Sequence, residues 1–220
     1  MIAVIFCGGY GTRLRSLNSK VPKPLVKVKG KEIVWRICEI YLKNNIDKII
    51  LLTGYKHKFF LENKKLYSNK KIQILNTGIG TETGERLLKA KKFINGDNFF
   101  LTYGDSLAEV DLKKTFKSHI SSKKIVSLTI FKYFFKYGFL ERKNKNVYKF
   151  NEKKFFNLNS GFYVVSKKIF RYLKKKQSFE KHLLPFLAKK KQINISAETK
   201  NWHPLDDKYD FEKMKGYLTK

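Results

Sequence analysis

Apolar and polar positions fall along this chain in blocks of two periods. Ile2–Phe6 is an unbroken apolar run, the pattern of a strand buried on both faces of a parallel sheet. Glu32–Asn44 sets Ile33, Ile37, Ile40 and Tyr41 on one face and predicts a helix. Lys48–Thr53 reads as a strand ending at Gly54, Lys56–Leu66 as a helix, and Ile72–Leu75 as a strand ending at Asn76-Thr77-Gly78. Glu82–Lys92 then predicts a helix and Asn98–Tyr103 a strand ending at Gly104-Asp105. This βαβαβ rhythm implies an α/β, Rossmann-like fold with a mixed, mostly parallel sheet flanked by helices. The second half is richer in strands: Ile125–Phe131, Phe139–Arg142, Val147–Phe150, Gly161–Val165 and Gln192–Ser196, with helices at Lys167–Lys175 and Phe179–Lys189.

At 220 residues the chain can bury a sizeable core as one domain. No stretch approaches the roughly 20 apolar residues of a membrane span. Ile2–Phe6 is too short, and its flanks are wrong, for a signal peptide. Cys7 and Cys38 form no metal-binding pattern and read as reduced core thiols, which points to a cytoplasmic location. The formal charge of +30 raises the question of nucleic acid. Of 48 basic residues only six are arginine, and the lysines are spread over the whole length. A nucleic-acid site concentrates charge on one face, so no specific nucleic-acid partner is expected; the charge can still draw in anionic substrates.

The chemistry concentrates after the first strand, in Cys7-Gly8-Gly9-Tyr10-Gly11-Thr12-Arg13-Leu14. Three glycines in four positions allow a sharp turn whose N–H groups can converge on an anion. Thr12 adds a hydroxyl, and Arg13 a planar cation suited to phosphate. Lys20-Val21-Pro22-Lys23-Pro24-Leu25 follows, with two prolines stiffening the chain around Lys23. Neither the dinucleotide fingerprint nor the P-loop pattern is present. Asp105 ends a buried strand at the same sheet edge and offers a hard oxygen to Mg²⁺; it could equally cap a turn. Asp206 follows the Trp202-His203-Pro204-Leu205 segment, where Asp207 is a candidate helix cap and His203 reads as structural.

Gly8-Gly9-x-Gly11-Thr12-Arg13-Leu14 with Pro22-Lys23-Pro24 resembles the signature of the sugar-phosphate nucleotidyltransferases, which join a nucleoside triphosphate to a sugar 1-phosphate and release pyrophosphate. The resemblance implies a nucleotide-diphospho-sugar transferase type of fold, with a nucleotide-binding half over residues 1–110 and an acceptor-binding half over 111–220. Thr77-Gly78 with Thr83-Gly84-Glu85-Arg86-Leu87 looks like the Thr-Gly … Thr-Gly-Gly-Arg-Leu segment of the cytidylyl branch, so CTP is the expected nucleotide and another triphosphate the alternative. The chain departs from that branch at Asn76, at Glu85, and in a shortened stretch between Lys65 and Ile72. Phe150-Asn151-Glu152-Lys153-Lys154 resembles the family's Phe-x-Glu-Lys-Pro, with Lys154 in place of the proline.

Carried over residue by residue, the resemblance makes Arg13, Lys23 and Asp105 catalytic. Gly8, Gly9, Gly11, Thr12, Arg13, Thr77, Gly78, Thr83, Gly84 and Arg86 become the nucleotide site. Gly138, Glu152, Lys153 and Asn159 become the acceptor site, and Asp105 and Asp206 the Mg²⁺ ligands. Arg86 has two competing sequence readings: a donor to the base, or a surface ion pair with Glu82. The expected partners are a nucleoside triphosphate and a phosphorylated small-molecule acceptor, with a homo-oligomer possible. A catalytically silent nucleotide-binding subunit is the reading from another class.

Overall fold

The computed structural model describes residues 1–12, 21–152 and 154–219. Its centre is a seven-stranded sheet in the order β12-β8-β11-β6-β1-β4-β5. These strands are β1 (Ile2–Phe6), β4 (Lys48–Thr53), β5 (Ile72–Asn76), β6 (Asn98–Tyr103), β8 (Val126–Phe135), β11 (Lys154–Ser166) and β12 (Ile193–Glu198). Every neighbouring pair is parallel except those of β11, which runs antiparallel to both β6 and β8. The minor strands are β2 (Lys27–Val28) with β3 (Lys31–Glu32), β7 (Ser106–Glu109) with β13 (Lys200–Pro204), and the hairpin β9 (Phe139–Lys143) with β10 (Asn146–Asn151).

Successive side chains of a strand leave opposite faces of the sheet, and both faces here are covered. Ala3 and Ile5 pack with α1 (Ile33–Leu42), with Phe60 of α2 (His57–Glu62), with Leu66 of α3 (Lys64–Ser68) and with Met214 of α7 (Lys208–Tyr217). Ile2, Val4 and Phe6 pack on the other side with Leu87 of α4 (Thr83–Ala90) and with Leu187 of α6 (Leu184–Lys189). That two-sided burial explains the unbroken apolar run of β1. Each such side chain gains roughly 1.5–3 kcal/mol over leaving it in water. Cys7 and Cys38 are buried and unpaired. Among the described residues no helix is long and apolar enough to cross a membrane.

Several expected elements differ. The helix expected over Lys56–Leu66 is two short helices broken at Asn63, whose side chain caps α3 by accepting from Leu66 N. Lys167–Lys175 makes only a 3₁₀ turn, Lys167–Arg171, and Phe179–Leu183 is a π-helical turn leading into α6. The strand expected over Gly161–Val165 is thirteen residues long, because β11 continues past the sheet edge paired with β8. Helix α5 (Leu112–Ser122) is an element the apolar pattern does not predict; it starts on an Asp111 cap, and α7 starts on Asp207, the cap the sequence suggests.

Candidate active site

The glycine turn, the end of β4, the Thr77–Glu82 loop and Gly104-Asp105 all follow parallel strands. They therefore meet at one sheet edge, where ligands of open α/β sheets bind. Gly11 has φ +60°, a left-handed conformation, and a Cβ there would press on Lys23 Cβ. Pro22 and Pro24 fix a 3₁₀ turn, Lys23–Leu25, that presents Lys23 to the edge. Gly104 N donates to Phe6 O, and Leu205 N donates to Asp105 O, which brings the end of β13 beside β6.

The result is a compact charge cluster. Lys23 Nζ lies 2.7 Å from Asp105 Oδ2 and 2.8 Å from Asp206 Oδ1, although the two aspartates are a hundred residues apart. Burial pushes the Lys23 ammonium down, but the combined charge and hydrogen bonds of the two carboxylates outweigh it, and its pKa lies above the ordinary lysine value. The cluster is shared by two cavities. One, of about 240 Å³, is lined by Gly9, Gly11 and Thr12. The other, of about 320 Å³, is lined by Asn159, Gly161, Tyr103 and Trp202. Among the described residues Trp202 Nε1 is a buried donor with no acceptor.

Two carboxylates converging on one cation are the hard-oxygen donor set that Mg²⁺ uses when substrate phosphates and water complete its shell. Among the described residues no group of three or more His, Cys, Asp or Glu side chains could hold a metal alone. The donor set therefore fits a cation shared with substrate, and not an all-protein cage.

The predicted residues divide. Gly9, Gly11, Thr12, Lys23, Asp105, Asp206 and Asn159 converge on the cluster and its two cavities. Arg13 and Lys153 lie outside the described residues. Thr77, Thr83, Gly84 and Arg86 turn toward protein. Thr77 Oγ1 donates to Thr53 O at 2.6 Å and accepts from Arg86 Nη1 at 2.6 Å. Thr83 Oγ1 donates to Glu180 Oε2 at 2.6 Å, and a Cβ on Gly84 would strike Gln177 O. Gly78 N is held by Asn76 Oδ1, so the departure at Asn76 still builds the turn. Arg86 is 3% exposed and bonded to loop carbonyls, which corrects its reading as a surface ion pair with Glu82. Glu85, at the second departure, accepts from Lys176 N and pairs with Lys89.

The acceptor residues separate as well. Asn159 donates to Tyr163 OH at 2.6 Å and accepts from Gly161 N. Glu152 is exposed in the bend before β11 and lines neither cavity; the five steps along β11 from Lys154 to Asn159 extend roughly 16 Å. Gly138 packs against the Phe150 ring. The cause is common to both: the β8–β11 ribbon carries the β9–β10 hairpin outward.

Sequence reasoning missed a buried relay. Tyr103 OH donates to Glu180 Oε1 at 2.6 Å and lies 3.3 Å from Tyr163 OH, which receives Asn159. Burial drives the Tyr103 phenol well up and Tyr163 up to about 12, so both stay protonated. Glu180 sits on the π turn and also takes Ser178 Oγ, so it ties the Thr83 loop to the Asn159 cavity. No local spacing announces a link between residues so far apart in sequence. Tyr10 was also passed over: it is half exposed, 5.2 Å from the Tyr55 ring, and it flanks Gly80.

Comparison with known proteins agrees with this geometry. The nucleotidyl transferase family profile matches residues 2–207. A "probable glucose-1-phosphate cytidylyltransferase" of Bacillus subtilis is 32% identical over 94% of this chain and 91% of its own length. A D-glycero-α-D-manno-heptose 1-phosphate guanylyltransferase of Aneurinibacillus thermoaerophilus is 36% identical over 86% of this chain and 87% of its own. Among solved structures, HddC from Yersinia pseudotuberculosis superposes with a TM-score of 0.78 at 26% identity, covering 99% of both chains, and is also known complexed with GMP-PN. A phosphate-type turn, a lysine between two distant aspartates and a family match spanning both meet in one molecule: this chain belongs to the nucleotidyl transferase family, among the sugar-phosphate nucleotidyltransferases.

Proposed function

We propose that this protein is a cytoplasmic enzyme that transfers the nucleotidyl group of CTP to a sugar 1-phosphate, giving a CDP-sugar and pyrophosphate. The observation that carries the reading is the Lys23–Asp105–Asp206 cluster standing in the wall between two cavities. An acceptor phosphate in the Asn159 cavity and a triphosphate over the Gly9–Thr12 turn would meet across it.

The reaction is displacement at the α-phosphorus, in line with departing pyrophosphate. A phosphate monoester oxygen is already nucleophilic near neutral pH, so the protein's work is positioning and charge neutralisation. The turn N–H groups hold the triphosphate, with Arg13 as their cationic neighbour in sequence. Lys23 neutralises the α-phosphate, and Asn159 and Lys153 address the acceptor. Asp105 and Asp206 would hold Mg²⁺, whose charge offsets that of the phosphates.

A second reading, GTP with a heptose 1-phosphate, is favoured by the guanylyltransferase relative at 36% identity. Arg86 no longer argues for cytosine, because its bonds go to loop carbonyls and Thr77. The Thr77–Arg86 loop resemblance still favours CTP. The deciding experiment is pyrophosphate release from equal CTP, UTP, dTTP, GTP and ATP, with glucose 1-phosphate and a heptose 1-phosphate as acceptors. Preferred CTP turnover supports the first reading and preferred GTP turnover the second. No turnover with any pair would leave a nucleotide-binding subunit.

A further inference from the structure

We propose that Arg86 is a positioning residue that locks the phosphate turn from beneath, and that Gly8 is glycine because of it. The idea rests on reading the Gly8–Thr12 turn as the triphosphate site. Arg86 lies on the inner side of α4. Its Nη1 donates to Thr53 O at 3.1 Å, Thr77 Oγ1 at 2.6 Å and Gly78 O at 2.9 Å, and its Nη2 donates to Gly8 O at 2.9 Å. These acceptors sit at the carboxyl ends of β4, β5 and β1, three adjacent strands. One rigid, planar fork thus ties three loops at once, which a lysine ammonium, a point donor on a flexible stem, cannot reproduce.

Arg86 is also an unusual charge. It is buried, and among the described residues no carboxylate lies within ion-pair distance of it. Burial lowers its pKa, yet a guanidinium stays protonated in proteins. A buried cation bonded to carbonyl and hydroxyl oxygens, with the Glu82 and Glu85 carboxylates acting on it only from beyond contact, keeps much of its desolvation cost. Part of that cost is recovered when an anion settles on the other side of the Gly8–Thr12 turn, so the residue serves phosphate binding without touching the ligand.

The sequence identity of Gly8 follows from the same packing. Its φ lies outside the left-handed range, so its backbone does not demand glycine. A Cβ at Gly8 would land inside the guanidinium, the three nearest atoms being Arg86 Nη1, Cζ and Nε. At neighbouring Gly9 a Cβ would meet nothing within 4 Å. Gly54 also abuts Arg86, but Gly78 O presses on it too, so among the described glycines Gly8 is the one crowded by Arg86 alone.

The test is a double-mutant cycle of Gly8→Ala and Arg86→Lys, with Gly9→Ala as control, read by melting temperature and by KM for nucleotide and for acceptor. Gly8→Ala should lower Tm by roughly 5–10 °C and Gly9→Ala by far less. In the Arg86→Lys background Gly8→Ala should cost less than half as much. Arg86→Lys alone should raise KM for CTP, GTP and UTP by one common factor, about tenfold, with the acceptor KM within twofold. If Arg86→Lys does not fold, Arg86→Gln closes the same cycle, and the comparison of Gly8→Ala with Gly9→Ala stands without either. The proposal is overturned if Gly8→Ala costs no more than Gly9→Ala, or costs the same in both backgrounds. It is overturned as well if Arg86→Lys changes CTP against GTP selectively, the mark of a base contact. Absent turnover with every substrate pair would sink the enzymatic reading, and the Tm cycle would still decide the clamp.

Discussion

Lys23 meets two carboxylates with one ammonium. A cation shared with substrate would sit on the same hard oxygens. Asp105→Asn should leave the fold intact and reduce turnover by on the order of a hundredfold or more, the scale for losing a main electrostatic stabiliser. Near-normal rates in that variant at limiting Mg²⁺ would show that Asp105 is no ligand. Lys23 predicts a different signature. Its folded pKa is raised, so the stability it contributes is fully present below the free-lysine value and is lost only as pH rises through the folded value, above any ordinary assay. In Lys23→Met the two carboxylates lose the Lys23 ammonium between them. That variant should lose stability relative to wild type at low salt and recover part of it in high salt, which screens the two like charges. Equal losses at low and high salt would mean that the lysine stem, and not its charge, holds the cluster.

At the scale of elements, His119 on α5 sets a second pH response. It is 2% exposed, with Nδ1 2.8 Å from Ser127 Oγ and Nε2 3.0 Å from Asn98 Oδ1. These bonds join α5 to β8 and β6, and burial depresses the imidazole to about 4. The unfolded chain binds a proton near pH 6.5 that the folded chain refuses, so stability is full above 6.5 and falls as pH drops toward 4. Thermal melts from pH 7 to 4.5 should show this fall, and His119→Gln should flatten it; an unchanged slope would remove His119 from the account. Helix α5 was itself illegible in the sequence. Lys113, Lys114, Lys117, Ser118, Ser121 and Ser122 blur its periodicity, and its apolar side is narrow. By contrast β1, β4 and β6 could be read almost to the residue, because burial on both faces writes unbroken apolar runs. The site divides the same way. Gly11, Lys23 and Asp105 are short-range signals attached to strand ends. Glu180, Tyr103 and Tyr163 come together only through the order of the sheet, as do the partners of Arg86.

At the scale of the whole molecule, two kinds of structure share one chain. The sheet and its helices hold both hydrophobic cores, and neither core includes any of the described residues between Phe131 and Asn159. That stretch is the β8–β11 ribbon with the β9–β10 hairpin, held by its own ladder pairs and by ring contacts such as Phe134–Phe155 and Phe139–Phe156. Many of its apolar side chains stay exposed, among them Tyr137, Tyr148, Phe150 and Phe155. Elements that bury little contribute little to global stability and open at low cost. Replacing Tyr137–Asn151 by a short glycine turn should therefore keep the far-UV spectrum, apart from the lost hairpin, and keep Tm within about 4 °C, a shift of roughly 1–2 kcal/mol for a chain of this size. Nucleotide binding should persist, because the Gly9–Thr12 turn, Lys23 and Asp105 stand on the sheet edge. Acceptor KM should rise at least tenfold if the hairpin orders the bend at Glu152 for the sugar phosphate. Should Tm instead collapse, the arm is part of the folding unit. Should acceptor KM stay at its wild-type value with the fold intact, the bend takes no part in acceptor binding, and that task falls to Asn159 and the residues around it.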